Sequence, residues 1–337
     1  MKAWLAVCAA ALSIILGAAV GSVAIPPRSV AAAVGQGLFG LGLPEGVSAG
    51  EAAIVWHQRL PRALLAFLAG AALSVSGAVM QSLLRNPLAS SYTLGVSSGA
   101  SLGAGLVIFM GVSIPFAGGL SLPFFGFSFG LGTIFLVMGF ARALDPSMKS
   151  HTIILAGMVL GLFVNAVTTL MFSFFRESAQ RMLFWQMGSF AMRGWGAVHI
   201  LAALAAAGIA AAYFFRWELD ILSFGEEQAM AVGVDVKKAR GALLVSAAAL
   251  TGATVAFVGV IGFVDLVAPH VVRKLFGPAH RLVVPMSAVV GGTFMVLCDI
   301  AARVATPPVE LPVGAVTALL GGPFFAYVFF AGRGGQR

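Results

Sequence analysis

The sequence predicts an all-α, polytopic integral membrane protein with about ten transmembrane helices. Of its 337 residues, 60% are hydrophobic and only 9% are charged, whereas a soluble protein carries roughly a quarter of its residues as Asp, Glu, Lys and Arg. The same low charge excludes a disordered chain. The apolar residues also fall into runs of about 20, the length that a helix needs to cross a hydrocarbon core of about 30 Å.

The apolar runs predict the membrane spans in chain order. Nine runs are long enough for a single helix: Ala3–Val23, Ala63–Leu84, Leu94–Val112, Ala117–Ala141, Thr152–Phe174, Trp195–Phe215, Ala242–Val260, Val283–Ala302 and Val313–Phe330. A tenth stretch, from Ile261 to Val272, is shorter and contains Asp265 and Pro269. A short helix can cross where other helices shield its backbone from lipid, so this stretch is expected to complete ten spans.

The first run has an alternative interpretation as a cleaved signal peptide. It follows Lys2 and ends at Ser22-Val23-Ala24, which resembles a cleavage site. The apolar region of a signal peptide is usually about 7–15 residues long, and this run is longer. The sequence therefore favours a first membrane span.

Basic residues orient the spans with both termini on the cytoplasmic side of the plasma membrane. Thirteen would lie inside: Lys2, Arg85, Arg142, Lys149, Arg216, Lys237, Lys238, Arg240, Arg273, Lys274, Arg281, Arg333 and Arg337. Seven would lie outside: Arg28, Arg59, Arg62, Arg176, Arg181, Arg193 and Arg303. This excess agrees with the positive-inside rule. No connection is long enough for a soluble domain, so residues 1–337 are expected to form one membrane domain.

The residues argue against several classes of function. The net charge of +8 comes from cations in short connections, not from a basic stripe with interleaved aromatics, so no nucleic-acid partner is predicted. The sequence has no phosphate-binding loop, no paired-histidine metal motif and no nucleophile elbow. Cys8 and Cys298 lie within apolar runs and are expected to act as small hydrophobic residues. No catalytic or metal-ligating residue is predicted, and a membrane enzyme is only a rival interpretation.

An ion-coupled secondary transporter is a second rival. Such proteins use carboxylates near the middle of the membrane. Asp265, Asp299 and Glu310 are the acidic residues near apolar runs, and all lie towards the ends of spans. Asp299 and Arg303 are four residues apart, so they can pair on one helix face.

The connection Arg216–Arg240 is the most informative internal loop. Ser223-Phe224-Gly225-Glu226 has the spacing of a capping box, which predicts a short helix after Ser223 that ends at Gly233. Asp235 is expected to cap a second helix, Val236–Arg240, which leads into the next span. Three exposed apolar residues would form one edge of this unit: Phe224, Met230 and Val232. A capped connector and a docking site for a cytosolic partner are equally consistent with these residues.

Three external arginines lie at the mouths of spans and are expected to be held there without local acids. They are Arg59, Arg62 and Arg303. Charge complementarity would suit them to dock an acidic partner. The alternative is snorkelling of arginine side chains at the membrane interface.

Four stretches in order carry a resemblance to a known family. They are RLPRALLAFLAGAALSVSGAVMQSLLRNPLASSYTLGVSSGASLG from Arg59, LFWQMGS from Leu183, GEEQAMAVGVDV from Gly225, and GVIGFVDLVAPHVVRKLFGPAHRLVVP from Gly259, followed by CDIAAR and ELPVGAVTALLGGPFF. Over about residues 59–330, the sequence resembles the FecCD-type permease subunits of ABC importers for iron-siderophores, haem and cobalamin.

The resemblance implies a type II ABC importer permease fold and a set of partners. These are a second copy of the chain in a homodimer, two cytosolic ATPase subunits that bind ATP and Mg, and an extracytoplasmic substrate-binding protein. No cofactor on this chain itself is implied. The expected cargo is a ferric siderophore or haem, with cobalamin as the alternative.

The resemblance also implies roles for individual residues. Those in the ATPase-coupling segment are Ser223, Phe224, Gly225, Glu226, Glu227, Ala229, Met230, Gly233 and Val234. Those that would receive glutamates of the binding protein are Arg59, Arg62 and Arg303. Candidates for the translocation path are Asn165, Met171, Phe174, Trp185 and Met187, although a role in the core is equally open for the aromatic and Met residues.

Two positions depart from the family pattern. Asp265 stands where the family usually has glycine, and Ser90-Ser91-Tyr92 stands where a proline is usual. A charged residue at the membrane centre costs about 2.5–3.5 kcal/mol on insertion scales. Asp265 is therefore expected to face protein or water.

Overall fold

A computed structural model describes residues 1–21, 25–115 and 118–334 of the chain, and these residues form helices without a strand. In chain order the helices are α1 (Lys2–Ala19), α2 (Pro27–Phe39), α3 (Ala49–Ile54), α4 (Leu60–Leu83), α5 (Val96–Met110), α6 (Ser121–Leu144), α7 (Ser150–Phe174), α8 (Arg176–Gln186), α9 (Gly194–Phe214), α10 (Arg216–Phe224), α11 (Glu226–Ala231), α12 (Val236–Val258), α13 (Val264–Phe276), α14 (His280–Val304) and α15 (Val313–Gly334). A π-helical turn, Val55–Arg59, joins α3 to α4.

The described residues confirm a multi-pass membrane architecture. Seven continuous helical segments are long and apolar enough to cross a membrane, and they contain α1, α4, α6, α7, α9, α12 and α14. Two shorter apolar helical segments, Val96–Met110 and Val313–Tyr327, account for two more of the predicted spans. The predicted span ends at Val23 and Ala117, the possible cleavage site 22–24 and the inner cation Arg337 lie outside the described residues.

The predicted tenth span is a short helix shielded by protein. α13 has 13 residues and is about 20 Å long at a rise of about 1.5 Å per residue, so it is too short to cross alone. Its first turn lies against Gly77, in the middle of α4. Its last turns reach Ser82, where Arg273 Nη2 donates to the serine hydroxyl over 3.0 Å. Residues 259–263, which join α12 to α13, are not helical.

The helix α4 is the centre of the bundle. In its most apolar stretch 83% of the residues are buried, against 28% for α7. Small residues let neighbouring backbones approach it closely: a Cβ added to Gly70 would lie 2.3 Å from the Gly291 carbonyl oxygen of α14. Ser76 Oγ donates to the Ala247 carbonyl of α12 over 2.8 Å. α7 therefore lies at the periphery, with much of its apolar surface uncovered within the protomer.

Contacts between distant segments define two ends of the bundle. At the Lys2 end, Lys2 Nζ donates to the Leu275 carbonyl at 3.5 Å. At the opposite end, called the Arg62 end, Arg303 Nη1 donates to the Val20 carbonyl at 2.7 Å. Lys2 and Arg303, which were predicted on opposite sides of the membrane, thus lie at opposite ends of the bundle.

The prediction for the connection 216–240 is partly wrong. Ser223 does not begin a helix, because α10 runs through it to Phe224 and the Ser223 hydroxyl donates to the Asp220 carbonyl at 2.6 Å. The chain instead breaks at Gly225, whose φ of 136° suits glycine. The helix end at Gly233, with φ 85°, is confirmed. Asp235 caps as expected, and the helix that it begins leads into the next span as predicted, because both form one continuous helix, α12.

The contact between α4 and α13 yields a stability prediction. A Cβ at Gly77 would lie 1.9 Å from the Asp265 carbonyl oxygen, so Gly77→Ala must push the two helices apart and is expected to cost about 1–3 kcal/mol. The measurement is the thermal unfolding midpoint in detergent. Gly132→Ala on α6 is the matched control, because no atom lies within 4 Å of its added Cβ. An equal midpoint for the two variants would contradict the packing described.

Candidate functional site

A cavity of about 500 Å³ opens at the Lys2 end between α10–α11 and the α6–α7 connection. Among its lining residues are Phe224, Glu227 and Met230 from the coupling segment, with Lys149 from the facing connection and His151 from the first turn of α7. Phe224 is 78% exposed and Met230 is 59% exposed. Large apolar side chains exposed beside a polar cavity mark an interaction surface.

The structure brings the predicted coupling residues together on this surface. The exposed ones are Ser223, Phe224, Glu227, Met230 and Gly233. Glu226 and Val234 are half-buried, whereas Gly225 and Ala229 are buried beneath them. The exposed members are available to a partner, and the buried members fix α11 on the bundle.

The buried residue Arg240 supports the coupling segment, although the sequence predicted it only as an inner cation. Arg240, 2% exposed, forms an ion pair with Glu226 of α11. Its Nη1 donates to the Met148 carbonyl in the α6–α7 connection. Arg240 therefore joins α11, α12 and the start of α7. The only sequence signal for it was a cation one turn inside a predicted helix.

The α6–α7 connection is itself a tightly bonded turn. The Asp145 carboxylate accepts hydrogen bonds from the Ser147 hydroxyl at 2.6 Å and from the Ser147 backbone N–H at 2.9 Å. These bonds favour the ionised form and lower the pKa of Asp145 to about 2. In the same way, the Lys238 backbone N–H lowers the pKa of Asp235 at the start of α12. Both carboxylates therefore hold the backbone of these connections at the Lys2 end over the physiological pH range.

A second buried network at the Lys2 end was not predicted. His280 Nδ1 lies 2.6 Å from Asp220 Oδ1 of α10, and His280 Nε2 lies 2.7 Å from Ser82 Oγ of α4. Arg273 Nη2 donates to the same serine, and Arg273 Nη1 donates to Gln81 Oε1. The network ties α10 to α4, α13 and α14, so the coupling segment is anchored to the centre of the bundle.

The three external arginines converge on one cavity of about 390 Å³ at the Arg62 end. Glu310 and the exposed side chain of Gln58 also line it. The arginines come from α14, α4 and the π-helical turn before α4. Contacts between segments distant in sequence thus build one cationic site.

The expectation that these arginines lack local acids is wrong. Arg62 Nη2 lies 2.9 Å from Asp299 Oδ1, and Arg62 Nη1 lies 2.9 Å from Glu310 Oε2. Arg303 pairs with the other Asp299 oxygen at 3.2 Å, which confirms the pairing suggested by their spacing. Arg59, 7% exposed, donates to the Ala19 carbonyl at 2.6 Å. The acids were missed because they follow Arg62 by more than 230 residues.

The candidate path residues divide into two groups. Trp185 is 8% exposed and packs with Phe109 and Met182, and the partly buried Met171 packs against the same cluster. These two residues belong to the core in this structure. Asn165 is exposed, Phe174 is 79% exposed and Met187 is 45% exposed.

The two departures from the family pattern contact each other. Ser90 Oγ donates to Asp265 Oδ2, and both side chains are buried. Nearby, the Tyr92 hydroxyl donates to the Ile261 carbonyl at 2.7 Å, and Ser91 Oγ lies 2.7 Å from Ser76 Oγ of α4. Asp265 faces protein, as expected. These hydrogen bonds join the irregular segments before α5 and α13 inside the bundle.

Comparison with known proteins identifies close relatives. Residues 9–331 match the FecCD transport family. The uncharacterized ABC transporter permease protein YvrB of Bacillus subtilis is 39% identical over 97% of this chain and 92% of its own length. The cobalamin import system permease protein BtuC of Halobacterium salinarum is 37% identical over 82% of this chain and 73% of its own length. The hemin transport system permease protein HmuU of Yersinia pestis is 36% identical over 83% of this chain and 85% of its own length.

A solved structure has a similar fold over nearly the whole chain. It is an inward-facing conformation of a putative metal-chelate type ABC transporter, with 28% sequence identity and a TM-score of 0.81. The similarity covers 97% of both chains. The all-helical arrangement described above is therefore that of a transporter permease.

The contact between Ser90 and Asp265 yields a second prediction. Either Ser90→Ala or Asp265→Gly removes one partner of a buried hydrogen bond, which costs about 1–3 kcal/mol. The double variant removes both side chains, so no buried group is left without a hydrogen-bond partner. Its loss of stability is therefore expected to be smaller than the sum of the losses in the two single variants. Thermal unfolding of the four proteins measures this coupling. Strictly additive losses would show that the two side chains do not stabilise each other.

Proposed function

The chain belongs to the FecCD transport family and is a permease of the ABC importers for metal chelates, siderophores, haem or cobalamin; within that family we propose that it carries a ferric siderophore or haem. The observation that most supports transport is the pair of cavities at opposite ends of one helical bundle. One is cationic and the other is bordered by exposed apolar residues, as suits two different partners.

The proposed partner at the Lys2 end is a pair of cytosolic ATPase subunits, one on each permease. The exposed side chains of Phe224 and Met230 would enter a cleft of the ATPase, and Glu227 would meet its polar rim. Burial of one large apolar side chain contributes about 1.5–3 kcal/mol. ATP and Mg would bind to the partner, so hydrolysis would take place outside this chain. This orientation puts both termini in the cytoplasm.

The proposed partner at the Arg62 end is an extracytoplasmic substrate-binding protein. Arg59, Arg62 and Arg303 would attract acidic side chains on its two lobes. The internal ion pairs change how this docking would work, because Asp299 has no exposed surface and stays with Arg62 and Arg303. Glu310 is 42% exposed, so an incoming carboxylate would displace Glu310 from Arg62.

The proposed assembly is a homodimer with the translocation path between the two copies. Support comes from the uncovered side of α7, where Leu162 is 69% exposed and Phe163 is 65% exposed. Asn165 and Phe174 lie exposed on the same helix, and Met187 follows α8. A path between copies would give these side chains contact with the cargo.

The proposed mechanism is alternating access driven by ATP binding to the partner. Closure of the ATPase dimer would move α10–α11 and open one end of the path while the other closes. ATP can shift this equilibrium only through its different affinity for the two states. In this mechanism the permease forms the path and connects it to the ATPase, and ATP hydrolysis takes place on the partner.

Cobalamin is the alternative cargo, supported by the similarity to BtuC. Iron chelates and haem are favoured because the hemin permease HmuU has similar identity with greater coverage of its own length. The similar solved structure is also described as metal-chelate type.

Reconstitution tests the proposed function. Proteoliposomes that contain this permease, its ATPase subunits and its binding protein are supplied with ferric hydroxamate, haemin or cyanocobalamin in parallel. We expect ATP-dependent uptake of the ferric hydroxamate or haemin and none without the ATPase. Preferential uptake of cyanocobalamin would favour the alternative cargo. Uptake driven by an ion gradient without ATPase would instead support a secondary transporter.

The docking proposal predicts opposite effects of two substitutions in the arginine cavity. Gln58→Glu adds a negative charge and should weaken binding of the substrate-binding protein by about threefold, whereas Glu310→Gln removes the ionic partner of Arg62 Nη1 and should strengthen it by about threefold. Both effects should vanish near 1 M salt, where the Debye length is about 3 Å. Surface-based binding kinetics measures them.

Glu45→Gln is the matched control for these two substitutions, because Glu45 is exposed and lies outside that cavity. It removes the same charge as Glu310→Gln and should leave affinity within experimental error. Equal effects of Glu45→Gln and Glu310→Gln, or effects that persist at high salt, would contradict docking at this cavity.

A further inference from the structure

We propose that Arg240 is the positioning residue that transmits movement of α11 to α7, an inference that rests on the proposed coupling of this permease to an ATPase. Arg240 neither touches the cargo nor lies on the exposed docking surface. It lies behind that surface and is 2% exposed. Its guanidinium is the point where three separate parts of the chain meet.

The contacts of Arg240 connect the docking segment to the α6–α7 connection. On one side, Arg240 Nη2 pairs with the Glu226 carboxylate in the first turn of α11. On the other side, Arg240 Nη1 donates to the Met148 carbonyl, with the Ser147 carbonyl 3.5 Å away. A planar guanidinium can hold acceptors in two fixed directions at once, which the single ammonium of lysine cannot reproduce. A displacement of Glu226 is therefore passed to Met148.

The α6–α7 connection can transmit such a displacement because it is rigid. The Asp145 carboxylate accepts from the backbone N–H groups of Ser147 at 2.9 Å and Lys149 at 3.3 Å. The Met148 N–H donates to the Asp145 carbonyl at 2.8 Å. α7 begins immediately afterwards, at Ser150. A pull on Met148 therefore acts on the first turn of α7 without being absorbed by a flexible loop.

α7 is suited to respond as a unit. Only 28% of its most apolar stretch is buried within the protomer, against 72% for α12, which carries Arg240. α12 packs against the central helix α4, whereas α7 contacts mainly α5 and α6. Arg240 is thus fixed on a well-packed helix and holds a less tightly packed one. α7 also carries the exposed candidate path residues Asn165 and Phe174.

The test is the ratio of ATP hydrolysed to substrate transported in the reconstituted complex. Arg240→Gln removes the ion pair with Glu226. We expect uptake of ferric hydroxamate or haemin to fall by about tenfold, as for residues on a coupling route, while ATP hydrolysis stays within about twofold of the unmodified complex. Arg240→Lys keeps the charge but not the two-sided contact and should give an intermediate ratio. Lys238→Gln, on the same helix and 88% exposed, is the matched control.

The outcomes separate the proposal from a purely structural role and from the proposed function. If Arg240→Gln lowers hydrolysis and uptake in equal proportion, or changes neither, Arg240 does not transmit movement and the proposal fails. If the unmodified complex shows no ATP-dependent uptake, the proposed function fails instead.

A distance measurement keeps the test decisive if Arg240→Gln does not fold. Spin labels are introduced by Glu227→Cys and Ser147→Cys in a background with Cys8→Ser and Cys298→Ser. We expect the distance between them to be the same in nucleotide-free and ATP-bound complexes, because the two segments move together. The distribution should broaden in Arg240→Lys. A distance that changes between the two states of the unmodified pair would overturn the proposal.

Discussion

Close approach of backbones to α4 is the constraint on which the rest of this bundle depends. Within a membrane, peptide groups must find hydrogen-bond partners inside the protein, and two passes of this chain contain irregular backbone at that depth. Both lie against α4, where Ser76 meets Ser91 at 2.7 Å and Gly77 leaves room for the Asp265 carbonyl. A helix with large side chains at these positions could not shelter non-helical segments. The small residues of α4 thus permit both short helices, α5 and α13.

Ion pairs between charged residues hold the helices in place at both ends of the bundle. Asp299 forms ion pairs with Arg62 and Arg303 within the protomer, and Arg240 forms an ion pair with Glu226. Buried ion pairs contribute little net stability compared with apolar packing, but they fix geometry, because loss of one partner leaves an uncompensated charge. Arg62 and Asp299 belong to different helices, as do Arg240 and Glu226, whereas Arg303 pairs with Asp299 within α14. The ion pairs between helices therefore fix the orientation of the arginine cavity and of α11, the two proposed docking surfaces, relative to the centre of the bundle.

The sequence could predict what depends on local patterns. The membrane spans, the helix end at Gly233 and the cap at Asp235 follow from apolar run length, backbone freedom and hydrogen bonding over a few residues. The predicted cap at Ser223 was wrong because this serine lies in the last turn of α10, and the chain breaks at Gly225 instead. The acids beside Arg62 and the partners of Arg240 could not be found in this way. The acids follow Arg62 by 237 and 248 residues, and Met148 precedes Arg240 by 92 residues, so only the packing of distant helices makes them neighbours. Glu226 is nearer in the chain, but it belongs to a separate helix, α11.

The hydrogen bond between Ser90 and Asp265 bears on how this permease has diverged within its family. Each residue is costly alone, since a buried hydroxyl or carboxylate needs a partner, and each supplies the partner that the other needs. A lineage that acquired the aspartate without the serine, or the serine without the aspartate, would carry a less stable protein. The two positions are therefore expected to change together during evolution, and the joint presence of Ser90 and Asp265 would mark one branch of these permeases.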